Sequence, residues 1–397
     1  MTRAVFDPMS PDFVRDPYPI YAQLRANDPV HLSPMGFWVL TAHADVVAAI
    51  NDDRLSNRPS RFAVTHARNR DKYAAADVAG NIIPFLDPPE HTRARKLISK
   101  AFYAHLREHP PDVAGRCDRL LAPLLKQPQF DAIADLGRPL AAGVVAEFLG
   151  LPEQDLERLQ AWSHWYFYLF SPIPSQEVLD GLNRGLTEFR EYLAGVLEQR
   201  RQQPADDLIS RLMQADDDGA QLSGAEVIDT CMLLFADGVE NVDSGFGNCV
   251  LAFMEHPDSW EMLRARPELG AALVSESLRL NPPGQFISKI AREDFELQGR
   301  KLRKDQAVIL VLAAANRDPQ VFEDPDDFLP ERSKNRHLSF GRGRHACIGA
   351  PLVELELVQA SQALANCGRR LRLAVDAPQW QARLGHRWLT ALPVAWN

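Results

Sequence analysis

The sequence predicts a mainly α-helical protein with small β-sheets, and three observations support this fold class. Apolar residues recur at helical spacing over most of residues 117–201. A second helical pattern runs without interruption from Gly224 to His256. Strand-like stretches such as residues 31–40 are short and contain turn residues. Long helices are therefore expected to supply most of the fold.

The composition is that of an ordinary globular protein. Of the 397 residues, 46% are hydrophobic and 24% are charged, which is enough apolar material for a large core. No Pro-, Ser- or Gly-rich linker and no internal repeat divides the chain. We therefore expect residues 1–397 to form a single domain.

Charge and cysteine content argue against several classes of protein. The net charge of −9 argues against a nucleic-acid-binding surface. The first thirty residues contain no long apolar run, so we expect no signal peptide, no membrane anchor and a cytoplasmic location. The five cysteines are widely spaced and odd in number, which does not suggest a disulfide framework.

The amino-terminal part predicts a small sheet followed by a loop. Residues 31–40 predict two strands joined by a turn, and residues 43–50 predict a short helix. Residues 58–85 show no sustained period and predict a long loop, which in a compact domain is usually functional.

The next predicted helix presents two donors on one face. His91 and Arg95 lie four residues apart, so both side chains point the same way. Two cationic donors aimed together favour an anionic ligand. A solvated basic helix face is the alternative interpretation.

Six aromatic residues crowd the end of the helical region, before a predicted break at Ser171-Pro172. Aromatic residues at this density are more often core than cofactor contacts, and a pocket role for one or two of them remains open. The aromatic residues are Trp162, Trp165, Tyr166, Phe167, Tyr168 and Phe170.

Residues 202–207 predict a polar connection, and residues 216–219 predict an acidic surface turn.

The helix from Gly224 to His256 is long enough to cross the protein interior, at about 50 Å. Ser223 and Glu226 form a capping box at its start. In mid-span it carries four residues that are unfavourable there unless they have a function. These residues are Asp237, Gly238, Glu240 and Asn241.

A charged pair and two strand-like segments follow. Glu276 and Arg279 lie three residues apart on a helix that ends before Pro282. Residues 285–299 and 306–312 each predict a strand.

One glycine-rich segment delivers a single cysteine to the start of a helix. Three glycines lie within residues 341–349, and Pro351 suits a first helical turn. Cys347, just before that helix and beside three basic residues, is placed to be a thiolate, which binds metals. A lone thiolate does not form a zinc or iron–sulfur site but suits heme. A buried cysteine in a glycine-rich turn is the alternative.

The segment Phe-Gly-x-Gly-x-x-x-Cys-x-Gly at residues 340–349 resembles the heme-binding loop of the cytochrome P450 family. The resemblance covers nearly the entire chain and implies the cytochrome P450 fold. It also implies that Cys347 is the axial ligand of a heme b iron. Glu276, Arg279 and Arg332 match the buried charge network of the family, which supports the cysteine loop.

The resemblance implies further site residues. Gly238 and Glu240 match the glycine and the acid of the oxygen-binding helix, whereas Asn241 replaces the usual threonine and Asp237 a small residue. Glu240, Asn241 and Asp237 are the candidate catalytic residues. Candidate cofactor-binding residues besides Cys347 are His91, Arg95, Lys289 (where arginine is usual), His337 and His345. Candidate substrate-pocket residues are Ile83, Phe85, Leu234, Gly238, Phe286, Ile287 and Trp388.

The implied activity is a monooxygenase that inserts one atom of O2 into a small or medium-sized, largely apolar substrate. No Gly-x-Gly-x-x-Gly segment follows a strand, so electrons are expected from a separate protein. The expected electron donor is an acidic ferredoxin with its reductase, which would bind a basic patch of five arginine and lysine residues. A peroxide-driven peroxygenase and a non-enzymatic heme or gas sensor remain alternatives. The patch residues are Arg93, Lys96, Lys100, Arg342 and Arg344.

Overall fold

The computed structural model describes residues 4–58, 64–170 and 175–397. It is mainly helical with small sheets, as predicted. Within these residues, no helix is both long enough and apolar enough to cross a membrane.

The α-helices cover about half of the described chain. They are α1 (Pro11–Arg15), α2 (Tyr18–Asn27), α3 (His43–Ile50), α4 (Ala74–Ala79), α5 (Glu90–Glu108), α6 (Val113–Leu124), α7 (Arg138–Leu149), α8 (Leu156–Tyr166), α9 (Gln176–Gln202), α10 (Leu208–Gln214), α11 (Gly224–Glu255), α12 (Asp258–Ala265), α13 (Gly270–Leu280), α14 (Leu312–Ala315) and α15 (Ala350–Asn366).

The strands are short and form small sheets. They are β1 (Val30–Leu32), β2 (Trp38–Leu40), β3 (Leu55–Ser56), β4 (Gln129–Asp131), β5 (Asp216–Asp217), β6 (Ala220–Gln221), β7 (Ile287–Ala291), β8 (Phe295–Leu297), β9 (Arg300–Leu302), β10 (Ala307–Leu310), β11 (Leu371–Leu373) and β12 (Pro393–Trp396). One sheet has the order β1-β2-β10-β7-β3 and another has the order β11-β12-β4. Two hairpins, β5-β6 and β8-β9, stand apart from them.

The chain divides into two compact units. The first comprises residues 1–56, 113–140 and 241–397, and the second comprises residues 57–112 and 141–240. Helix α11 contributes its first half to the second unit and its second half to the first unit. The single domain of residues 1–397 stays a prediction.

The first unit is built on the five-stranded sheet, which is apolar on both faces. Neighbouring residues of β10 point to opposite faces, so Val308 joins one buried cluster and Ile309 joins another. Strand β10 lies between β2 and β7 in the sheet, and all four of its residues are buried.

A buried charge network supports the first unit, as predicted. The two side-chain nitrogens Nε and Nη2 of Arg279 each donate a 2.8 Å hydrogen bond to Glu276. Nε of Arg332 donates to the same carboxylate at 2.8 Å. Arg279 also donates to three backbone carbonyls, so its charge is compensated although its side chain is fully buried.

In the second unit, helix pairs are joined by close packing and by buried charge. A Cβ atom at Gly181 or Gly185 of α9 would overlap the Trp165 ring of α8, so these glycines permit the close approach. Arg190 of α9 donates two 2.8 Å hydrogen bonds to the fully buried Asp229 of α11.

Several predicted elements match the structure, and two do not. The helix at residues 43–50 and the capping box of α11 are confirmed. Residues 58–85, of which 59–63 lie outside the described residues, are not one loop, because small apolar residues form α4 there. Residues 285–299 are not one strand, because the chain turns between β7 and β8. The predicted break at residues 171–172 also lies outside the described residues.

Candidate active site

The loop before α15 holds Cys347 in a fixed backbone frame. Gly341 and Gly343 have φ angles of +66° and +71°, in the left-handed region that favours glycine. The amide of Cys347 donates a 2.8 Å hydrogen bond to the carbonyl of Phe340. The Cys347 side chain is exposed, and α15 begins three residues later at Ala350. The structure thus presents a sulfur atom just before a helix N-terminus, which favours the thiolate.

The turn at residues 51–53 packs against this loop. A Cβ atom at Gly343 would overlap Oδ1 of Asn51, so the loop depends on glycine for space as well as for its φ angle. Arg344 forms an ion pair with Asp53. The cysteine loop is therefore held by contacts within the first unit.

Lys289 and His337 supply two further donors in the first unit. Nζ of Lys289 donates a 2.6 Å hydrogen bond to the carbonyl of Ile50, which occupies one of its three donor positions. Burial, with a further effect of the Arg279 guanidinium, lowers the pKa of His337 to about 4. Its Nδ1 accepts a hydrogen bond from the Ser339 amide, so the proton of the neutral ring is on Nε2. His337 is thus a neutral donor.

His91 and Arg95 lie one turn apart on α5, in the second unit. His91 is 1% exposed and Arg95 is half-buried. Within the described residues, the guanidinium of Arg95 has no hydrogen bond and no ion pair, whereas Arg93 on the same helix pairs with Glu226. An anion beside Arg95 would compensate this charge.

One stripe of α11 is open in an otherwise buried stretch. Between residues 231 and 250, every residue is buried except Leu234, Asp237, Gly238 and Asn241. Their spacing of three, one and three residues places them on one face of the helix. This open stripe, as we call these four residues, contains three of the four polar or glycine positions that the sequence singled out.

Asp237 lies deep in the protein yet keeps part of its surface accessible. Burial raises the pKa of its carboxyl group to about 7. No described residue donates a hydrogen bond to this carboxyl group. The fully buried Tyr166 of α8 is close enough that the Asp237 charge, after burial itself, raises the pKa of the phenol. Its hydroxyl group has no hydrogen-bond partner among the described residues.

Glu240 and Asn241 are adjacent on α11 but differ in burial. Glu240 is 8% exposed, and its Oε1 accepts a 3.5 Å hydrogen bond from the buried Ser163 hydroxyl of α8. Asn241 lies on the open stripe and has no hydrogen-bonding partner among the described side chains. The sequence did not indicate Ser163, since nothing in its local pattern shows which helix it faces.

Gly238 marks a close helix contact. A Cβ atom at this position would lie 3.0 Å from Cγ2 of Val145 on α7, closer than most real contacts. Helix α11 is continuous through this glycine. The lack of a side chain at Gly238 therefore allows α11 to pack closely against α7.

The remaining predicted pocket residues have separate surroundings. Ile83 is 5% exposed, and the Phe85 ring lies 5.0 Å from that of Phe170, one of the six aromatic residues. In the first unit, the Phe286 ring packs 5.7 Å from Phe6, whereas Ile287 packs against the opposite face of the sheet. Phe286 therefore has a place in the core. Trp388 is 2% exposed, with its ring 4.6 Å from His386.

Most of the predicted basic patch residues have ionic or polar partners. Lys96 pairs with Asp217 at 2.6 Å, and Arg93 and Arg344 are paired as described above. Lys100 donates to the carbonyl of Asp216 at 3.1 Å. The three ion pairs reduce the net positive charge that the five residues present, whereas the hydrogen bond of Lys100 to a carbonyl does not.

The donor set fits a heme. Cys347 is the exposed cysteine of the chain, whereas Cys117, Cys231 and Cys249 are buried and Cys367 is partly buried. Burial raises the pKa of the Cys249 thiol to about 11, which disfavours a thiolate there. The guanidinium of Arg95, which has no partner among the described residues, and the Nε2 proton of His337 suit carboxylates such as the heme propionates.

Comparison with protein families and known proteins gives one consistent result. The model of the family described as "Cytochrome P450" matches residues 267–364. Nocardicin C N-oxygenase of Nocardia uniformis subsp. tsuyamanensis is 36% identical over 391 residues, covering 96% of each chain. Polyketide biosynthesis cytochrome P450 PksS of Bacillus subtilis (strain 168) is 31% identical, covering 100% of this chain and 99% of its own.

The fold comparison agrees. The crystal structure of CalO2 superposes with a TM-score of 0.90 at 36% identity and covers 99% of both chains. The likeness therefore extends over the whole chain.

Proposed function

The chain belongs to the cytochrome P450 family, and from this premise we propose that Cys347 is the axial ligand of its heme iron. The protein is a heme-thiolate monooxygenase that acts on small organic substrates with O2 and a redox partner. The bound heme supplies the activation of O2. The exposed sulfur atom of Cys347 at the start of α15 is the observation that carries the assignment. The helix N-terminus stabilises the thiolate.

We infer that the heme carboxylates are held by donors of different charge. Arg95 supplies a forked guanidinium, Lys289 a point charge and His337 a neutral N–H. His91 and His345 complete the proposed set. Support comes from the unpaired state of Arg95 among the described residues and from the low pKa of His337.

The substrate is proposed to lie along the open stripe of α11. Leu234 and Gly238 offer apolar surface, and we assign further apolar contacts to Ile83, Phe85, Ile287 and Trp388. Phe286 was also predicted to line the pocket, and its packing against Phe6 favours a supporting role. Such a lining suits a largely apolar substrate.

Asp237 is proposed to bind a hydrogen-bond donor or a cationic group of that substrate. A buried carboxyl group without a partner gains most from a donor that arrives with the ligand. Glu240 and Asn241 are proposed to serve proton delivery. The Asn241 amide can hold water but cannot relay a proton as a hydroxyl group does, so Glu240, hydrogen-bonded to Ser163, is the proton carrier.

We propose an acidic ferredoxin with its reductase as the redox partner, and the cytoplasm as the location. Arg342 and Arg344 beside Cys347 and Lys96 on α5 would contact the ferredoxin. The free state of all five cysteines accords with a reducing compartment.

A reconstitution experiment tests the proposed function. Compounds from a library of apolar molecules with and without an amino or hydroxyl group are first screened for a spin shift of the heme spectrum. The best ligand is then incubated with NADPH, a reductase and an acidic ferredoxin, and separately with hydrogen peroxide. Oxygenated product that carries one atom of 18O2 and depends on the ferredoxin supports the proposal. Product formed only with peroxide would indicate a peroxygenase, and ligand binding without product would indicate a sensor.

A further inference from the structure

A cluster of two histidines and one aspartate lies in the second unit, outside the proposed heme and substrate residues. His105 and His109 are one turn apart at the C-terminal end of α5, and their rings stack with centroids 5.2 Å apart. Asp206 comes from the connection between α9 and α10. One ligand-type atom from each of the three side chains lies within 4.8 Å of the others.

We propose that His105, His109 and Asp206 bind a divalent transition-metal ion, for which Zn2+ is the best match. Zinc sites use imidazole nitrogen and carboxylate oxygen at about 2.0–2.2 Å. Histidines at i and i+4 of a helix are a geometry that zinc sites use. Water would complete a four-coordinate ion, because three protein ligands leave one position open.

His105 distinguishes this cluster from a surface ion pair. Its side chain is 2% exposed, and its Nδ1 atom is buried without a hydrogen-bond partner in the described part of the chain. The ring is fixed against Phe148, with centroids 4.8 Å apart. Burial lowers the pKa of His105, and the charges of Arg211 and His109 add to this effect.

The surrounding residues hold Asp206 in place. Nε2 of His109 lies 3.1 Å from Oδ2 of Asp206, and Nη2 of Arg211 lies 3.3 Å from Oδ1. One carboxylate oxygen can therefore face the ion while the other keeps its guanidinium partner, as is common behind metal ligands. The next residue, Asp207, caps α10 and pairs with Arg200 at 2.5 Å, which fixes the connection.

Two carboxylates and two guanidinium groups carry the charge beside the cluster. Arg211 contacts Asp206 at 3.3 Å and pairs with Glu108 at 2.6 Å, and Arg107 lies 3.3 Å from the same Glu108 carboxylate. These four charges cancel, so a bound dication would meet no net positive charge. An ion here would join the end of α5 to the connection before α10.

The test measures zinc in the complete holoenzyme. The protein is treated with a chelator, dialysed, mixed with Zn2+ and passed through a desalting column, and its zinc and iron are measured by atomic emission. We expect about one zinc per iron. His109→Gln and Asp206→Asn, both at exposed positions, should weaken Zn2+ binding at least tenfold by isothermal titration calorimetry.

His256→Gln is the matched control, because His256 is an exposed histidine elsewhere in the chain, and it should bind Zn2+ like the wild type. All variants should retain the normal spectrum of the reduced carbon monoxide complex, which separates this proposal from the heme assignment. Zn2+ should also raise the melting temperature of the wild type but not of His109→Gln. A wild type that retains no zinc, or a His109→Gln protein that binds it equally well, would overturn the proposal.

Discussion

At the scale of single residues, Asp237 is the acid that we propose to contact the substrate. Glu240, three residues later on α11, already accepts a hydrogen bond from Ser163. Asp237 has no such donor among the described residues, and burial raises its pKa to about 7. Its charge therefore changes within the physiological range of pH.

The pKa of Asp237 predicts a pH dependence of ligand binding. A ligand with a donor or cationic group should bind more tightly as pH rises through 7, because the ionised carboxylate is the stronger acceptor. Asp237→Asn should remove this dependence, as measured by spectral titration between pH 6 and 8. Asp45→Asn is the control, since Asp45 also has a pKa raised by burial but belongs to the amino-terminal helix α3. A dependence that survives in Asp237→Asn would rule out this role.

The same carboxyl group should make the ligand-free protein less stable as pH rises, whereas it makes ligand binding tighter. Its pKa is higher in the folded state than the usual 3.8, so between about pH 4 and pH 7 the folded protein holds a proton that the unfolded chain has lost. The free energy of unfolding should therefore fall as pH rises over this range. Chemical denaturation of the ligand-free protein should show a smaller fall for Asp237→Asn, and equal slopes for both proteins would contradict the assignment.

We propose that proton delivery depends on Asn241 and on the Glu240–Ser163 contact. Asn241→Ala and Glu240→Gln should each increase the hydrogen peroxide released per electron consumed, because protons would reach bound oxygen in the wrong order or place. Ser163→Ala should have the same effect in a smaller degree, since it removes only a hydrogen bond to the proposed carrier. If Asn241→Ala leaves product per electron unchanged, another group must organise the water.

At the scale of elements, the cysteine loop and the long helix were predictable because their determinants are local. In the cysteine loop, the glycines, Cys347 and Pro351 lie together in sequence. Helix α11 begins at Gly224, directly after Ser223 of the Ser223–Glu226 capping box. The surroundings of these elements were not predictable in the same way. Asn51 packs against the cysteine loop from far away in sequence, and no local pattern indicates such a contact.

This contact gives a prediction for Gly343. Alanine there must adopt a positive φ and also displace Asn51, so Gly343→Ala should lower both heme content and the free energy of unfolding. Gly299→Ala is the matched control, because Gly299 has a φ of +73° but open space around its Cβ position. The control should cost only the left-handed strain of about 1–2 kcal/mol. Equal losses in the two variants would show that the Asn51 contact is unimportant.

The buried network makes a second prediction at this scale. Arg279→Met should reduce the free energy of unfolding by about 3–5 kcal/mol, because it leaves the Glu276 charge buried with less compensation. Arg266→Met removes the exposed Arg266–Glu331 pair and should cost less than about 1 kcal/mol. Denaturation measurements that give similar losses for both would contradict a structural role of the network.

At the scale of the whole molecule, the sequence was sufficient for the fold class and for the motif that defines the chemistry. Motifs with several specific residues, as at 340–349, identify a family because their residues act together in one loop. Contacts between residues far apart in sequence were missed, such as that of Ser163 with Glu240 and the cluster of His105, His109 and Asp206. Their helices approach only in the folded chain, and α4 was missed because its six residues are too few to show a period.

The measurement that tests the central claim most directly is the absorption spectrum of the reduced carbon monoxide complex of Cys347→Ala. Its control is Cys367→Ala, which removes the partly buried cysteine at the C-terminal end of α15. If Cys347 is the axial ligand, the Soret band characteristic of thiolate ligation should be lost in Cys347→Ala and kept in Cys367→Ala. A thiolate Soret band that persists in Cys347→Ala would contradict the assignment.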